Sequence, residues 1–377
     1  MELEFTSDQE ELRDSVRAVL ARECTPGFVR EVAEQRIAGA DVDCEPLWSH
    51  MVELGWPALT VPESAGGLGF GTVELAVLVE ALGQSMAPGP LLSTVSQYVA
   101  AIREAGSPGQ HDRFLRPVAE AGRTGSLALD DQVGVVTTAA RAGAGWVLTG
   151  AKHLVMEAPA VDAFVVVART GDGDGDGDLG AFVVPRDAPG LAVEPVRSLD
   201  PTRLIGSVVL RDVAVGAEAT LGEPGPTTSA AIRRAVQEAT VALALETVGT
   251  TQMIFDITLA YAKEREQFGV PIGSFQAIKH KFADMVIAIE RARATGYFAA
   301  LTIAERDDRA TMATSMAKAA AGDAQRLVGK EGIQIHGGIG YTWEHDIHLY
   351  VRRAKAGDAL FGTATDHRAA VADLLDW

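Results

Sequence analysis

The spacing of apolar residues switches twice along the chain, and the switches divide it into three regions. From Thr6 to about Gly122 apolar positions recur at helical intervals. "TSDQEELRDSVRAVLAREC" puts Leu12, Val16, Val19 and Leu20 on one face, and Ser7 three residues before Glu10 predicts a capping box. "TVELAVLVEALG" repeats the device, with Gly83 as the expected C-cap. The stretch between them, "LGWPALTVPESAGGLGFG", is dense in Gly and Pro and predicts a loop. Over residues 124–217 the texture becomes short β-branched runs, "GWVLTG", "DAFVVVAR", "GAFVVP" and "GSVVLRDVAV", broken by Gly, Pro or Asp. These predict a small antiparallel β domain, and the acidic "GDGDGDGD" from Gly171 to Asp178 reads as a hairpin loop. A calcium-binding repeat would need a regular nonapeptide with an apolar anchor, which this run lacks.

From about Thr227 the helical period returns. "AAIRRAVQEATVALALETVGTTQMIFDITLAYAKERE" reads as one long helix, apolar on much of its surface and so suited to the inside of a bundle. Further helices are expected over residues 276–305, 311–335 and in "ATDHRAAVADLL". The order helices, strands, helices predicts an α+β chain in three parts, residues 1–122, 123–226 and 227–377.

Composition narrows the function classes. A chain of 377 residues with 47% hydrophobic and 22% charged residues is of ordinary globular make-up and large enough for two or three domains. A net charge of −18 opposes binding to nucleic acid or an anionic membrane, though local basic groups can still hold a phosphorylated cofactor. Cys24 and Cys44 alone make neither a disulfide framework nor a zinc site, as expected in a reducing cytoplasm. No apolar run reaches the ~18 residues of a membrane span, and the acidic start does not resemble a signal peptide.

Two stretches carry the candidate chemistry. "REQFGVPIGSFQ" breaks a helix with Gly and Pro and sets Arg265, Gln267 and Gln276 near the break. "QIHGGIGYTWEHD" does the same with Gly337-Gly338, and a new helix is expected near Thr342. Arginine, amides and a helix N-terminus suit a pyrophosphate and an adenine edge. Either stretch alone is equally a helix–helix turn. His336, Glu344, His345 and His348 read as a solvated face, not a metal site, although Glu344 and His348 are one turn apart. Arg352 and Arg353 are expected to balance nearby carboxylates, and Trp48 and Trp56 to be core.

Taken together the two stretches resemble the signatures of the acyl-CoA dehydrogenase family of flavoenzymes. "ELGWPALTVPESAGGLGFG", "GWVLTGAKHLV" and "HLYVRRAKAGDALFG" extend the likeness over nearly the whole chain. The resemblance implies an N-terminal helical domain, a central barrel-like β domain and a C-terminal four-helix bundle, assembled as a tetramer. It implies α,β-dehydrogenation of an acyl-CoA thioester: a carboxylate takes the α-proton, the β-hydrogen passes as hydride to FAD, and an electron-transferring flavoprotein reoxidises the flavin. It also implies a shared cofactor site, in which one subunit faces the flavin ring and its neighbour holds the adenine and pyrophosphate. By that likeness Arg265, Glu266, Gln267, Phe275, Gln276, Gln334, Ile335, His336, Gly337 and Gly338 are the cofactor-holding residues.

The ring-facing half departs from the pattern. The family's Thr-Glu-Pro and Gly-Ser-Asp stretch has no counterpart in "LALDDQVGVVTTAARAG". Its Trp-Ile-Thr reads Leu154-Val155-Met156 here, and methionine cannot donate the threonine's hydrogen bond. The glutamate expected before Gly362-Thr363 is Phe361, and the alternative base position on the long helix is Ala239. Glu238 points about 100° away from it, and Glu246 shares its face but lies roughly 10 Å along the axis. The expectation is a subunit without its own base, completing the FAD site of a related subunit in an α2β2 heterotetramer, with a bulky acyl-CoA of the steroid-side-chain kind as substrate. The runner-up is a self-sufficient homotetramer using Glu246 or another acid. A third reading is a scaffold that never touches flavin.

Overall fold

The computed structural model describes residues 4–40, 42–131, 133–134, 136–171 and 179–377. The fold is α+β, as expected. Helices α1 (Ser7–Glu23), α2 (Pro26–Ile37), α3 (Glu45–Glu53), α4 (Thr72–Ser85), α5 (Leu91–Ser93), α6 (Val99–Ala105), α7 (Pro108–Phe114) and α8 (Arg116–Ala121) come first, with a π-helical turn, Thr94–Tyr98, joining α5 to α6. Strands β1 (Gly125–Ala128), β2 (Thr138–Ala142), β3 (Gly145–Met156), β4 (Ala163–Arg169), β5 (Leu179–Pro185), β6 (Leu191–Val196), β7 (Ile205–Val215) and β8 (Thr220–Leu221) follow. The C-terminal part holds α9 (Pro226–Glu264), a two-stranded hairpin of β9 (Glu266–Gln267) and β10 (Val270–Pro271), α10 (Gln276–Ala304), α11 (Ala310–His336), α12 (Ile347–Ala359) and α13 (Ala364–Leu374). No described helix is long and apolar enough to cross a membrane.

The first capping box sits one residue earlier than the spacing predicts. Thr6, in extended conformation, accepts from Gln9 N, and the Gln9 side chain returns to Thr6 N; Ser7 is already helical. Val16 and Leu20 of α1 are buried as expected, with Leu12 and Val19 packed beside them. Gly83 does not cap α4, which continues to Ser85 and ends on Met86 in a left-handed conformation. Its role is close approach: a Cβ on Gly83 would meet Glu246 O at 1.9 Å, and one on Gly249 would meet Glu80 O at 2.0 Å. The two glycines let the α4 and α9 backbones touch, and Thr250 Oγ1 donates across the contact to Gly83 O at 3.1 Å.

The β domain is one sheet in the order β6-β7-β3-β2-β4-β5-β8, with β1 also on β4. Most pairs are antiparallel, but β1 runs parallel to β4, and β2 touches β4 in parallel at Thr138 and Arg169. The end strands β6 and β8 do not pair, so among the described residues the sheet is not closed. All of the "GDGDGDGD" run except Gly171 lies outside the described residues. α9 is the single long helix the pattern predicts, and α10, α11 and α12 pack around it. The helix expected near Thr342 begins later, at Ile347, after a 3-10 turn over Gly337–Tyr341. Glu344 therefore precedes α12 and does not share a helical face with His348.

Candidate functional site

The two C-terminal signatures meet at the end of α9. Tyr261, one turn before Arg265, stacks on His336 at the end of α11 with ring centroids 4.4 Å apart. Arg265 leaves the helix in extended conformation, its N–H donating to Tyr261 O at 2.8 Å, and the β9–β10 hairpin follows. Phe268 at the hairpin tip is 94% exposed and lies edge-on to Phe275. Of the ten residues expected to hold a cofactor, Arg265, Glu266, Gln267, Phe275, Gln276, Gln334, Gly337 and Gly338 are exposed. Ile335 and His336 are buried beneath them. The His336 Nδ1 bonds Gly332 O at 2.8 Å, its Nε2 has no partner, and burial holds its pKa below the usual histidine value. The side chains of Arg265, Gln276 and Gln334 make no hydrogen bond or ion pair with the described residues. A Cβ built on Gly337 or Gly338 would meet nothing within 4 Å, so the backbone there is open to an incoming group. Sequence alone does not single out Tyr261, because a lone aromatic on an amphipathic helix has the signature of core packing.

The positions that the resemblance assigns to the flavin ring and base carry the apolar side chains Leu154, Met156 and Phe361. β3 bulges between Lys152 and Val155, leaving Leu154 at φ +53 and turning Met156 into the helical core. Met156 Sδ accepts from Gln97 Nε2 at 2.9 Å, and Gln97 Oε1 is held by Ser126 Oγ and Leu127 N. Phe361, at φ +56, packs against both the main helical core and the neighbouring core formed by α6, α9 and the sheet. Leu154, Met156, Leu360 and Phe361, together with the polar Gln97, Asp130 and His153, line a space of about 10 Å³, against the several hundred Å³ of an ordinary ligand pocket. Gly362 (φ +88) and Thr363 are accounted for without chemistry. Thr363 caps α13, accepting from Asp366 N and donating to Asp366 Oδ2, and His367 Nε2 bonds Phe361 O at 2.8 Å.

Glu246 lies elsewhere, in a buried charge network that joins the three parts of the chain. Arg353 of α12 donates through Nε to Asp200 Oδ2 (2.9 Å), through Nη1 to Glu246 Oε1 (3.1 Å) and through Nη2 to Thr202 Oγ1 (3.0 Å). It also reaches Ala87 O in the N-terminal part. Arg203 Nη2 donates to the same Glu246 Oε1 at 3.0 Å, and Arg36 Nη1 donates to Thr202 O. The expectation that Arg353 balances carboxylates is met, while Arg352 instead lies 5.0 Å above the Trp343 ring. Glu238 is likewise buried and tied up, accepting from Arg103 Nη2 at 2.6 Å and Thr72 Oγ1 at 3.2 Å. Among the described residues no group of His, Cys, Asp and Glu is arranged to hold a metal ion.

Glu157, the residue after Met156, closes this network. Its N–H donates to Leu204 O and its Oε1 accepts from Leu204 N. Burial pushes its pKa up to about 7, against the pull of Arg36 and Arg203. A raised carboxyl pKa contributes stability that is full below the unfolded value and is lost as pH rises through 7. Glu157→Gln is therefore expected to match wild type near pH 4.5 and to exceed it by about 3 kcal/mol at pH 8. Denaturant unfolding at the two pH values tests this, and equal differences at both would refute it.

At the positions the resemblance assigns to adenine and pyrophosphate the groups are exposed and open to FAD, whereas the space among those it assigns to the ring is about 10 Å³. The fold is that of a flavoprotein dehydrogenase, and the chain belongs to the acyl-CoA dehydrogenase family. Residues 6–122, 124–213 and 229–375 match that family's N-terminal, middle and C-terminal domains. The family is one of FAD-dependent oxidoreductases acting on CH–CH bonds.

Among relatives, acyl-CoA dehydrogenase IpdE2 of Mycolicibacterium smegmatis is 30% identical, over 95% of this chain and 96% of its own. The ChsE4-ChsE5 complex from Mycobacterium tuberculosis contains a chain of the same fold, with TM-score 0.90, 28% identity and coverage of 100% and 99%. The Tcur3481-Tcur3483 steroid ACAD aligns with TM-score 0.85 and 31% identity over 98% of each chain.

Proposed function

We propose that this chain is the base-less half of a heteromeric acyl-CoA dehydrogenase, clamping the adenine and pyrophosphate of an FAD whose ring lies in a related partner subunit. The observation that carries the reading is the contrast within one chain. Around Leu154, Met156 and Phe361, which stand where the resemblance puts the ring and base, only about 10 Å³ is open, while Arg265, Gln276, Gln334 and the Gly337-Gly338 backbone stand free at the surface. In this reading the partner supplies the carboxylate that takes the α-proton and the groups around the flavin. FAD supplies the hydride acceptor. This chain's own part is to orient the cofactor: Arg265 by a charge-assisted bond to phosphate, the amides of Gln276 and Gln334 at polar edges, and the Gly337-Gly338 backbone by close approach.

Two solved relatives support the finer features by their names, one as a complex of two named chains and the other as a steroid ACAD. They favour an assembly of two related chains acting on a steroid-type acyl-CoA; the α2β2 stoichiometry, the cytoplasmic setting and an electron-transferring flavoprotein as acceptor are part of the same proposal. The self-sufficient homotetramer fares worse. Two guanidiniums already hold Glu246, and it does not line the space beside Phe361. The scaffold reading leaves the open clamp without a purpose.

The test is to purify the chain alone and together with a related subunit encoded beside it, and to record flavin absorbance and acyl-CoA oxidation. The expected result is no FAD and no oxidation for the chain alone, and about one FAD per pair for the complex. Stoichiometric FAD and turnover by the lone chain would overturn the proposal.

A further inference from the structure

Three buried polar atoms without partners belong to residues that line one small space at the junction of the three parts of the chain. Arg203 spends Nη2 on Glu246 Oε1, which also accepts from Arg353, and Glu157 spends Oε1 on Leu204 N. That leaves Arg203 Nη1, Glu246 Oε2 and Glu157 Oε2 without partners. Their residues are 5%, 1% and 3% exposed. All three residues line a chamber of about 10 Å³, whose other walls include Met51, Leu82 and Met156. Each unpaired buried group costs about 1–3 kcal/mol, so three together would be a large fraction of the stability of an ordinary domain.

The chemistry of the three atoms restricts what can satisfy them. Two carboxylate oxygens repel an anion, and a guanidinium N–H repels a cation. The chamber has about the volume of one water-sized sphere, too little for an organic group. The geometry points to a single internal water that accepts from Arg203 Nη1 and donates to Glu157 Oε2 and Glu246 Oε2. Three hydrogen bonds are the usual number for a buried water. A water also tolerates a change that a fixed side chain would not. When Glu157 is protonated, the water turns, accepts from Glu157 and from Arg203, and still donates to Glu246.

The inference does not depend on the heteromer reading. It makes the water a joint between the end of β3, the loop before β7, and α9, and it engages the second oxygen of Glu246. Glu246 is then hydrogen-bonded through both of its oxygens.

The first test is a crystal structure of the protein, alone or in complex, at a resolution that shows ordered water, from crystals soaked in bromide. The expected result is one peak within about 3.2 Å of all three atoms with no anomalous signal. Two results would overturn the inference: a bromide peak in the chamber, or Glu157 and Glu246 oxygens in direct contact with no density between them. The solution test is ¹⁷O magnetic relaxation dispersion, which counts long-lived waters. Glu157→Leu fills the chamber and removes a partner, so its count is expected to fall by one from wild type. Arg203→Met serves the same comparison if that variant does not fold. An unchanged count in both variants refutes the site.

Discussion

Arg265→Ala is expected to leave the assembled pair intact while weakening its hold on FAD by about 10- to 100-fold, the worth of one charge-assisted hydrogen bond to an ion. Removing the side chain should not disturb the fold, because Arg265 is exposed and its side chain has no partner among the described residues. The measurement is the FAD-to-protein ratio after gel filtration at a series of added FAD concentrations, with the mass of the complex followed in parallel. Gln334→Ala should act in the same direction but less, since it removes a neutral group. The control is Phe361→Leu, which alters only the packed cleft of this chain. In the shared-site reading it leaves FAD affinity of the pair unchanged. If Arg265→Ala binds FAD as tightly as wild type, or if Phe361→Leu releases it, the clamp assignment fails.

What the sequence made legible follows from the range of the interactions involved. The 39-residue helix α9 and the strand texture of the middle region depend on local period, and both were readable. Gly83 was readable as special but not as what it is. A glycine near a helix end looks the same whether it caps the helix or admits another backbone, and only the α4–α9 contact decides. The parallel pairing of β1 with β4 joins strands whose order along the chain carries no mark of direction. In the candidate site, Arg265 and Gly337-Gly338 stood out because their neighbours break a helical pattern. Tyr261 did not, since its stacking on His336 links positions 75 residues apart in the chain. The charge network was least visible: Arg353 meets Glu246 across 107 residues of the C-terminal part, Asp200 of the middle part and Ala87 O of the N-terminal part only once the three parts have docked, and no spacing records that.

That network sets the second large effect. Arg353→Met is expected to destabilise the chain by about 3–5 kcal/mol, the usual result of removing one member of a buried ion pair. The methionine nearly matches the arginine stem in volume, so the loss reports charge and hydrogen bonding more than a cavity. Asp200 and Glu246 then share Arg203 as the remaining buried cation at the junction, and the acceptors Thr202 Oγ1 and Ala87 O lose their donor. The deficit also has a pH signature. In the wild type burial alone would raise the Asp200 pKa, but Arg353 and Arg203 outweigh it and hold the carboxyl below the usual aspartate range. Asp200 therefore contributes stability above its unfolded pKa, which is lost as pH falls through the lower folded value. Without Arg353 that contribution shrinks, so the variant's deficit is expected to be larger at pH 8 than at about pH 3, below the usual aspartate value, where the wild type is losing the same contribution. Arg353→Lys should recover part of it, because an ammonium restores the charge but cannot reach four acceptors with the geometry of a planar fork. Arg352→Ala, which removes the cation over Trp343, should change stability by no more than about 1 kcal/mol. Thermal and denaturant unfolding of the four proteins at both pH values decides the matter. A loss for Arg353→Met no greater than that for Arg352→Ala would mean that the buried network is not what holds the three parts together.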